Sequence, residues 1–283
     1  MTTGSDSIRP SGPLRRWRDG GWMTADATPA APRCPEEAAV AIVIDGASQA
    51  VLMATPHDLH DFAVGFALTE GLIRSPDDVT GFETVDVEPD IGALGRLTAV
   101  EARLWLRPGL ASGLAERRRA MVGPVGCGLC GVDSIAAALP SIVPVRSDAR
   151  FAPGDVLSAM QAMATGQRLW RDTPSIHAAC LWHPDAALVR EDVGRHNALD
   201  KLAGAAARCG MSPAGAIVAM SSRLSVDLVQ KTARVGAPVL VGAGVPTELA
   251  VAWAEAAGIT LIGRARNGGF DLHTHPDRIG EAG

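Results

Sequence analysis

The segment Gly126-Cys127-Gly128-Leu129-Cys130-Gly131, preceded by Arg117-Arg118-Arg119, holds the residue types best suited to chemistry. Two cysteines among three glycines lie on a backbone free to bend, and nearby guanidinium charge lowers a thiol pKa and raises the thiolate fraction at neutral pH. A thiolate can attack the sulfur of a persulfide or disulfide, or it can ligate a metal. The pair alone leaves three readings open: redox or sulfur transfer, half of a zinc knuckle, and a structural pair. The zinc reading lacks a second CxxC or a closely spaced histidine pair, since His273 and His275 belong to a C-terminal strand or loop. Cys34, Cys180 and Cys209 are scattered, and an odd total of five cysteines is not the framework of a secreted disulfide protein.

A second constellation is the run Arg190-Glu191-Asp192-Val193-Gly194-Arg195-His196-Asn197-Ala198-Leu199-Asp200-Lys201. It reads as a polar turn feeding a helix, where backbone N–H groups with Arg195 and His196 suit an anion. The plain alternative is a solvated turn with an internally paired cap. Three further segments carry hydroxyls, glycines or guanidinium groups: Ser221-Ser222-Arg223, Gly242-Ala243-Gly244-Val245-Pro246-Thr247 and Arg264-Ala265-Arg266-Asn267. In an open α/β sheet ligands bind in loops beyond the carboxyl ends of the strands. Together these loops predict a cleft for a large, phosphorylated, hydrogen-bonding ligand. The glycine segment lacks the third glycine of a dinucleotide fingerprint, so nicotinamide binding is not implied.

The elements that would position these groups follow from apolar periodicity. Ala41 to Ile44 and Ala50 to Met53 flank Asp45-Gly46, a hairpin signal. Thr55 and Pro56 read as cap and first residue of a helix reaching about Leu72, with Leu59, Phe62, Ala63 and Phe66 on its apolar face. Alternation from Val100 to Leu106 predicts a half-buried strand. Farther on, strands near 216–220, 238–241 and 259–262 alternate with helices near 196–209, 225–235 and 247–257, each stopped by Gly210, Gly236 or Gly258. This rhythm predicts a mainly parallel sheet with helices on its faces, joined by an antiparallel pair turned at His183-Pro184-Asp185. The expected organisation is a disordered tail (1–35), a small α+β unit (36–125), a mobile CxxC loop (126–132) and an α/β cofactor-binding domain (133–283).

Composition sets outer limits. The 283 residues carry a formal charge of −5, which offers no global field for nucleic acid. No apolar run reaches the roughly 18 residues of a membrane span, and Met1 to Gly12 holds no apolar segment of a signal peptide. A cytoplasmic chain without membrane or nucleic-acid partners is expected. Among 26 lysines and arginines only Lys201 and Lys231 are lysine; they stand either on exposed helix faces by chance or where a compact ammonium is needed.

The chain resembles the FdhD family, the sulfur-carrier accessory proteins of formate dehydrogenases, from about Glu36 onward. The resemblance rests on Met53 to Leu59, Gly65 to Gly71, the Cys127-Gly-Leu-Cys130 loop, His177-Ala178-Ala179, the whole Arg190 to Lys201 run, Ser222 to Ser225 with Val229-Gln230-Lys231, Pro246 to Val251, and Thr260 to Gly263. It implies a sulfurtransferase that accepts persulfide sulfur from a cysteine desulfurase. The sulfur would pass to the Mo-bis(molybdopterin guanine dinucleotide) cofactor, or its tungsten counterpart, before insertion into the formate dehydrogenase catalytic subunit. It also implies a homodimer, no permanently bound metal, and a C-terminal cytidine-deaminase-like three-layer α/β/α domain beside the smaller α+β subdomain. By matching position, Cys127 would carry the persulfide and Cys130 would assist. Arg264, Ala265, Arg266, Asn267, Gly268 and Gly269 would contact the guanine dinucleotide, with Arg195, His196, Ser222, Arg223, Thr247 and His177 completing the cofactor site.

Two departures from the family pattern stand out. Arg264 occupies a position where an aromatic residue usually follows the glycine of the last strand, and Pro174-Ser175-Ile176 replaces glycines before His177. Zinc deaminases need His-x-Glu followed by Pro-Cys-x-x-Cys. Here His177 is followed by Ala178-Ala179 and the CxxC precedes it, so the hydrolytic machinery is missing. The alternative to sulfur transfer is a non-catalytic nucleotide- or zinc-binding scaffold.

Overall fold

The computed structural model describes residues 15–24, 34–89, 99–110 and 141–280. Cys127, Cys130 and the whole CxxC loop lie outside the described residues. Within the stretch read as a tail, β1 (Arg15–Arg18) and β2 (Gly21–Thr24) pair as an antiparallel hairpin. Trp17 and Trp22, which face each other across it in an edge-to-face contact, supply cross-strand stabilisation that a search for apolar periodicity overlooks.

A four-stranded mixed sheet has the order β4-β3-β6-β5, from β3 (Ala38–Ile44), β4 (Ala47–Ala54), β5 (Val79–Val87) and β6 (Ala99–Leu106). Asp45 and Gly46 both take positive φ (48° and 76°), the turn that matches the twist of a two-residue hairpin. Val40, Ile42, Ala102 and Leu104 turn inward against Phe62, Ala63 and Phe66 of helix α1 (Leu59–Thr69). This helix starts later than expected, with Asp58 at its N-cap. Thr55 does not cap it because both its backbone and its hydroxyl are engaged elsewhere, and the helix ends at Thr69 rather than Leu72.

The second sheet has six strands in the order β12-β11-β10-β9-β7-β8: β7 (His177–His183), β8 (Ala186–Asp192), β9 (Ile217–Met220), β10 (Val239–Gly242), β11 (Thr260–Arg266) and β12 (Gly269–Leu272). Only β9–β10 and β10–β11 pair in parallel; β7–β8, β7–β9 and β11–β12 are antiparallel. The sheet is therefore mixed rather than mainly parallel. On one face lie α4 (Arg195–Cys209), α5 (Val226–Val235) and α6 (Glu248–Ala257). On the other lies α2 (Pro153–Gly166), followed by the short α3 (Leu169–Asp172). Gly210, Gly236 and Gly258 end α4, α5 and α6 in the left-handed conformation, as their positions predict.

The two sheets are joined by α1 lying against α4. A Cβ on Gly65 would fall 1.7 Å from the Asp200 carbonyl oxygen, and one on Gly204 would fall 1.9 Å from that of Asp61. The helix backbones thus touch, a contact only glycine permits. Close approach brings the charged residues of both helices within reach of each other.

Candidate functional site

The topology brings the separated polar segments to one edge of the six-stranded sheet. β9, β10 and β11 run parallel, so the loops after them emerge on the same side. β7 is antiparallel to β9, with Ala179 opposite Met220, which puts its first residue, His177, at that edge. His177 in turn pairs with Asp192 at the end of β8, so the start of α4 arrives there too.

Backbone hydrogen bonds stitch these segments together. Ser221 N–H donates to the Ala178 carbonyl (3.1 Å), Ala243 N–H to Met220, Gly244 N–H to Ser222, and Arg264 N–H to Gly244 (3.0 Å). Ser221 Oγ accepts from Ala178 N–H at 2.9 Å and lies 3.5 Å from His177 Nδ1. The glycines serve these close approaches. A Cβ on Gly244 would meet Arg223 Cα at 2.9 Å, and one on Gly263 would meet Pro246 Cδ at 2.7 Å.

The expected cofactor residues divide into three groups. Arg223, Arg264 and Arg266 are exposed, and Arg195, His196 and His177 are half-buried, so these six present polar groups at the edge. Arg264 adopts φ +50° at an irregularity in β11 and pairs with Asp271 at 2.9 Å. Asn267 and Gly268, both at positive φ, form the turn of the β11–β12 hairpin, with Gly269 opening β12. The other three are engaged within the fold. Ala265 is 3% exposed and packs in the core beside α2, because alternation along β11 turns it inward. Ser222 is buried with its hydroxyl donating to the Arg223 carbonyl, and Thr247 caps α6 by accepting from Ala250 N–H.

The twelve-residue polar run acts mostly as an internally bonded joint. Asp192, fully buried, accepts from Lys201 Nζ (2.6 Å), Thr55 N–H (3.0 Å), Gly194 N–H (2.8 Å) and Asn197 Nδ2 (2.9 Å). Lys201 Nζ also donates to the Thr55 carbonyl, and Asn197 to that of Met53, tying α4 to the end of β4. Arg190 donates twice to Asp61 of α1, which also pairs with Arg208. Glu191 accepts from the N–H groups of Arg168, Leu169 and Trp170 around the start of α3.

Lys231 on α5 reaches Asp200, Glu70 and Thr69. Burial opposes its charge, but Asp200 and then Glu70 outweigh burial and raise its pKa. Burial raises the Asp200 pKa against the same ammonium. Neither lysine stands on an exposed helix face: Lys201 is fully buried and Lys231 largely so, each in an ion pair, where a compact ammonium fits.

Two of the groups facing the edge titrate abnormally. Burial, then the Arg195 charge, pushes His177 below the ordinary histidine range against Asp192. Burial likewise pushes His196 down, although its Nε2 contacts Asp227 Oδ2. Asp227 was not anticipated; two residues after the Ser225 cap it reads as an ordinary acidic residue in a first helical turn. Cys180 lies inside the sheet core with its thiol pushed up to about 12 by burial, which makes it unreactive. Among the described residues no three His, Cys, Asp or Glu side chains are grouped to hold a metal ion.

The model of the FdhD/NarQ family matches residues 35–280. The chain belongs to this family. A sulfur carrier protein FdhD from Agrobacterium fabrum is 45% identical over 250 residues, covering 87% of this chain and 88% of that protein. One from Cupriavidus necator is 42% identical over 270 residues, covering 94% and 88%. The fold matches the crystal structure of a formate dehydrogenase accessory protein from Desulfotalea psychrophila with a TM-score of 0.70 at 22% identity, over 95% of this chain and 97% of that one. The matched span includes the polar run, the serine–arginine loop and the CxxC segment. Among the described residues no helix is long and apolar enough to cross a membrane.

Proposed function

We propose that this FdhD/NarQ chain is a sulfurtransferase that carries persulfide sulfur on Cys127 for a molybdenum or tungsten bis(molybdopterin guanine dinucleotide) cofactor destined for formate dehydrogenase. Family membership together with the Cys127-Gly-Leu-Cys130 motif carries this reading. In the loading step the Cys127 thiolate attacks the outer sulfur of a cysteine desulfurase persulfide, the donor S–S bond breaks, and the desulfurase cysteine leaves as a thiolate. In the delivery step Cys130 attacks the inner sulfur of the Cys127 persulfide. A Cys127–Cys130 disulfide forms, and the two electrons so released reduce the outer sulfur to hydrosulfide, which goes to the metal.

The client cofactor is substrate here, held at the sheet edge. Exposed Arg223, Arg264 and Arg266, with Arg195 at the start of α4, fit its phosphates, because guanidinium groups bind phosphate oxygens in pairs of charge-assisted hydrogen bonds. The reading includes a cytoplasmic homodimer and a cytidine-deaminase-like three-layer arrangement of the larger sheet, whose helices cover both faces.

The experiment is intact-protein mass spectrometry after incubation with cysteine and a cysteine desulfurase. A reducible gain of one sulfur atom that disappears in Cys127→Ala supports the carrier role. No gain in any form, with zinc bound instead, replaces it with the scaffold reading.

A further inference from the structure

Asparagine followed by glycine is chemically labile, because the glycine nitrogen can close a ring on the side-chain amide with no Cβ in its way. The chain holds two asparagines, Asn197 and Asn267, and only the second precedes glycine. Their surroundings differ in the same sense. Asn197 is buried in α4, where its amide donates to the Met53 carbonyl and to Asp192 (2.9 Å each) and the following N–H, that of Ala198, donates to Gly194. Asn267 and Gly268 are exposed at the tip of the β11–β12 hairpin, both at positive φ (54° and 77°), and a Cβ on Gly268 would meet nothing within 4 Å.

The structure assigns Asn267-Gly268 as a deamidation site, a covalent modification that changes both the charge and the backbone of the arginine-bearing edge. The reaction needs the turn to open so that the Gly268 nitrogen reaches Asn267 Cγ, and the hairpin tip opens at little cost. One pair, Arg266 with Gly269, flanks the turn. Behind it the ladder is irregular between Gly263 and Arg266. β12 is the outermost strand of its sheet, so no further strand holds the tip. The turns Asp19-Gly20 and Asp45-Gly46 share the positive φ pair, but a carboxylate resists a nitrogen nucleophile and its isomerisation leaves the mass unchanged.

In the first step the Gly268 backbone nitrogen loses its proton and bonds Asn267 Cγ. The Cγ–Nδ2 bond breaks, and the amide group leaves as ammonia with that proton, closing a succinimide. Water then adds to one of the two ring carbonyls and opens the ring. A carboxylate remains at position 267, on the original main chain or on one routed through Cγ, and no electrons are gained or lost.

Both products put a negative charge beside Arg266, and Arg264 already pairs with Asp271 at 2.9 Å. The rerouted chain also carries an extra methylene where a two-residue turn has no slack. Phosphate binding at this edge is therefore expected to weaken as the protein ages. That consequence rests on the proposed cofactor reading; the modification itself does not.

The test ages the folded full chain at pH 8.5, wild type beside Asn267→Gly, a substitution that suits the positive φ. Wild type is expected to gain the mass difference between OH and NH2 and to release an equal amount of ammonia, whereas Asn267→Gly does neither. Peptide mapping should find aspartyl and isoaspartyl products at position 267. Hydroxylamine, which cleaves the main chain at a succinimide, should free residues 268–283 from wild type alone. An unchanged mass in folded wild type, or a gain that maps to Asn197, overturns the assignment. Titration with guanosine diphosphate then compares each aged protein with its own fresh sample. Aged wild type is expected to bind at least about fivefold more weakly, with no such loss in aged Asn267→Gly. Equal binding by fresh and aged wild type overturns the consequence, and fresh wild type that binds no guanosine diphosphate overturns the cofactor reading while the modification site stands.

Discussion

Lys201 Nζ lies 2.6 Å from Asp192 Oδ2 with both side chains fully buried, and the same two residues hold the backbone N–H and carbonyl of Thr55. Thr55 follows directly on β4 of the four-stranded sheet, whereas Asp192 and Lys201 belong to the six-stranded sheet and its helix. One ion pair thus joins the two halves of the molecule at the foot of the candidate site. Removing one partner of such a pair leaves an uncompensated charge in the interior, which costs far more than the intact pair contributes. Asp192→Asn is expected to destabilise the chain by about 3 to 5 kcal/mol. Urea unfolding followed by circular dichroism measures this, and a loss below about 1 kcal/mol rejects a dominant role for the pair.

The helix contact at Gly65 and Gly204 is steric rather than conformational. An added Cβ meets the carbonyl of the facing helix at under 2 Å in both cases, and backbone cannot yield as a flexible side chain would. Gly65→Ala or Gly204→Ala is expected to lower stability by at least about 2 kcal/mol by pushing α1 away from α4. Gly154 in the first turn of α2 has nothing within 4 Å of its Cβ position, so Gly154→Ala is expected to raise stability by up to about 1 kcal/mol. Opposite signs at these glycines in thermal unfolding check the argument.

Stability is expected to fall as pH drops from about 7 to about 5, the range around the ordinary histidine pKa. His60 and His177 are both held below it, His60 by burial and then Arg208, His177 by burial and then Arg195. The unfolded chain therefore binds protons in a range where the folded chain does not, and protonation pulls the equilibrium toward unfolding. Asp200 works in the opposite sense, because its raised pKa lets the folded chain bind a proton more readily than the unfolded one. Urea midpoints at pH 7 and pH 5 should differ less in a His60→Gln/His177→Gln variant than in wild type. An unchanged difference assigns the acid sensitivity to other groups.

Local signals were legible in the sequence where the local chain decides the structure. Asp45-Gly46 and the helix-ending glycines need only their own φ angles, and the loops after three successive parallel strands converge by topology. Thr55-Pro56 misled because a tertiary partner took the threonine: Asp192, 137 residues away, accepts its N–H. The lysines could not be read as buried for the same reason, since Lys231 finds Glu70 161 residues away. The antiparallel β7–β8 pair was legible from its turn, but the antiparallel pairing of β7 with β9 escaped, because β7 is buried on both faces like a parallel strand. The inward turn of Ala265 was present in the alternation Arg264-Ala265-Arg266, in which an apolar residue between two charged ones faces the core.

That alternation carries the last prediction. Arg264 and Arg266 point to solvent on either side of the inward Ala265. Arg266 has no ion-pair partner among the described residues, whereas Arg264 is held by Asp271. A guanidinium hydrogen-bonded to a phosphate contributes about 1.5 to 3 kcal/mol, so Arg266→Ala is expected to weaken binding of guanosine diphosphate, used as a probe of the dinucleotide half, by roughly tenfold or more. Arg264→Ala is expected to weaken it further, because it also frees the Asp271 carboxylate to repel the phosphates. Both losses should shrink as salt is raised. Calorimetric titration that finds wild-type affinity in both variants places the phosphates elsewhere along the edge, at Arg195 and Arg223.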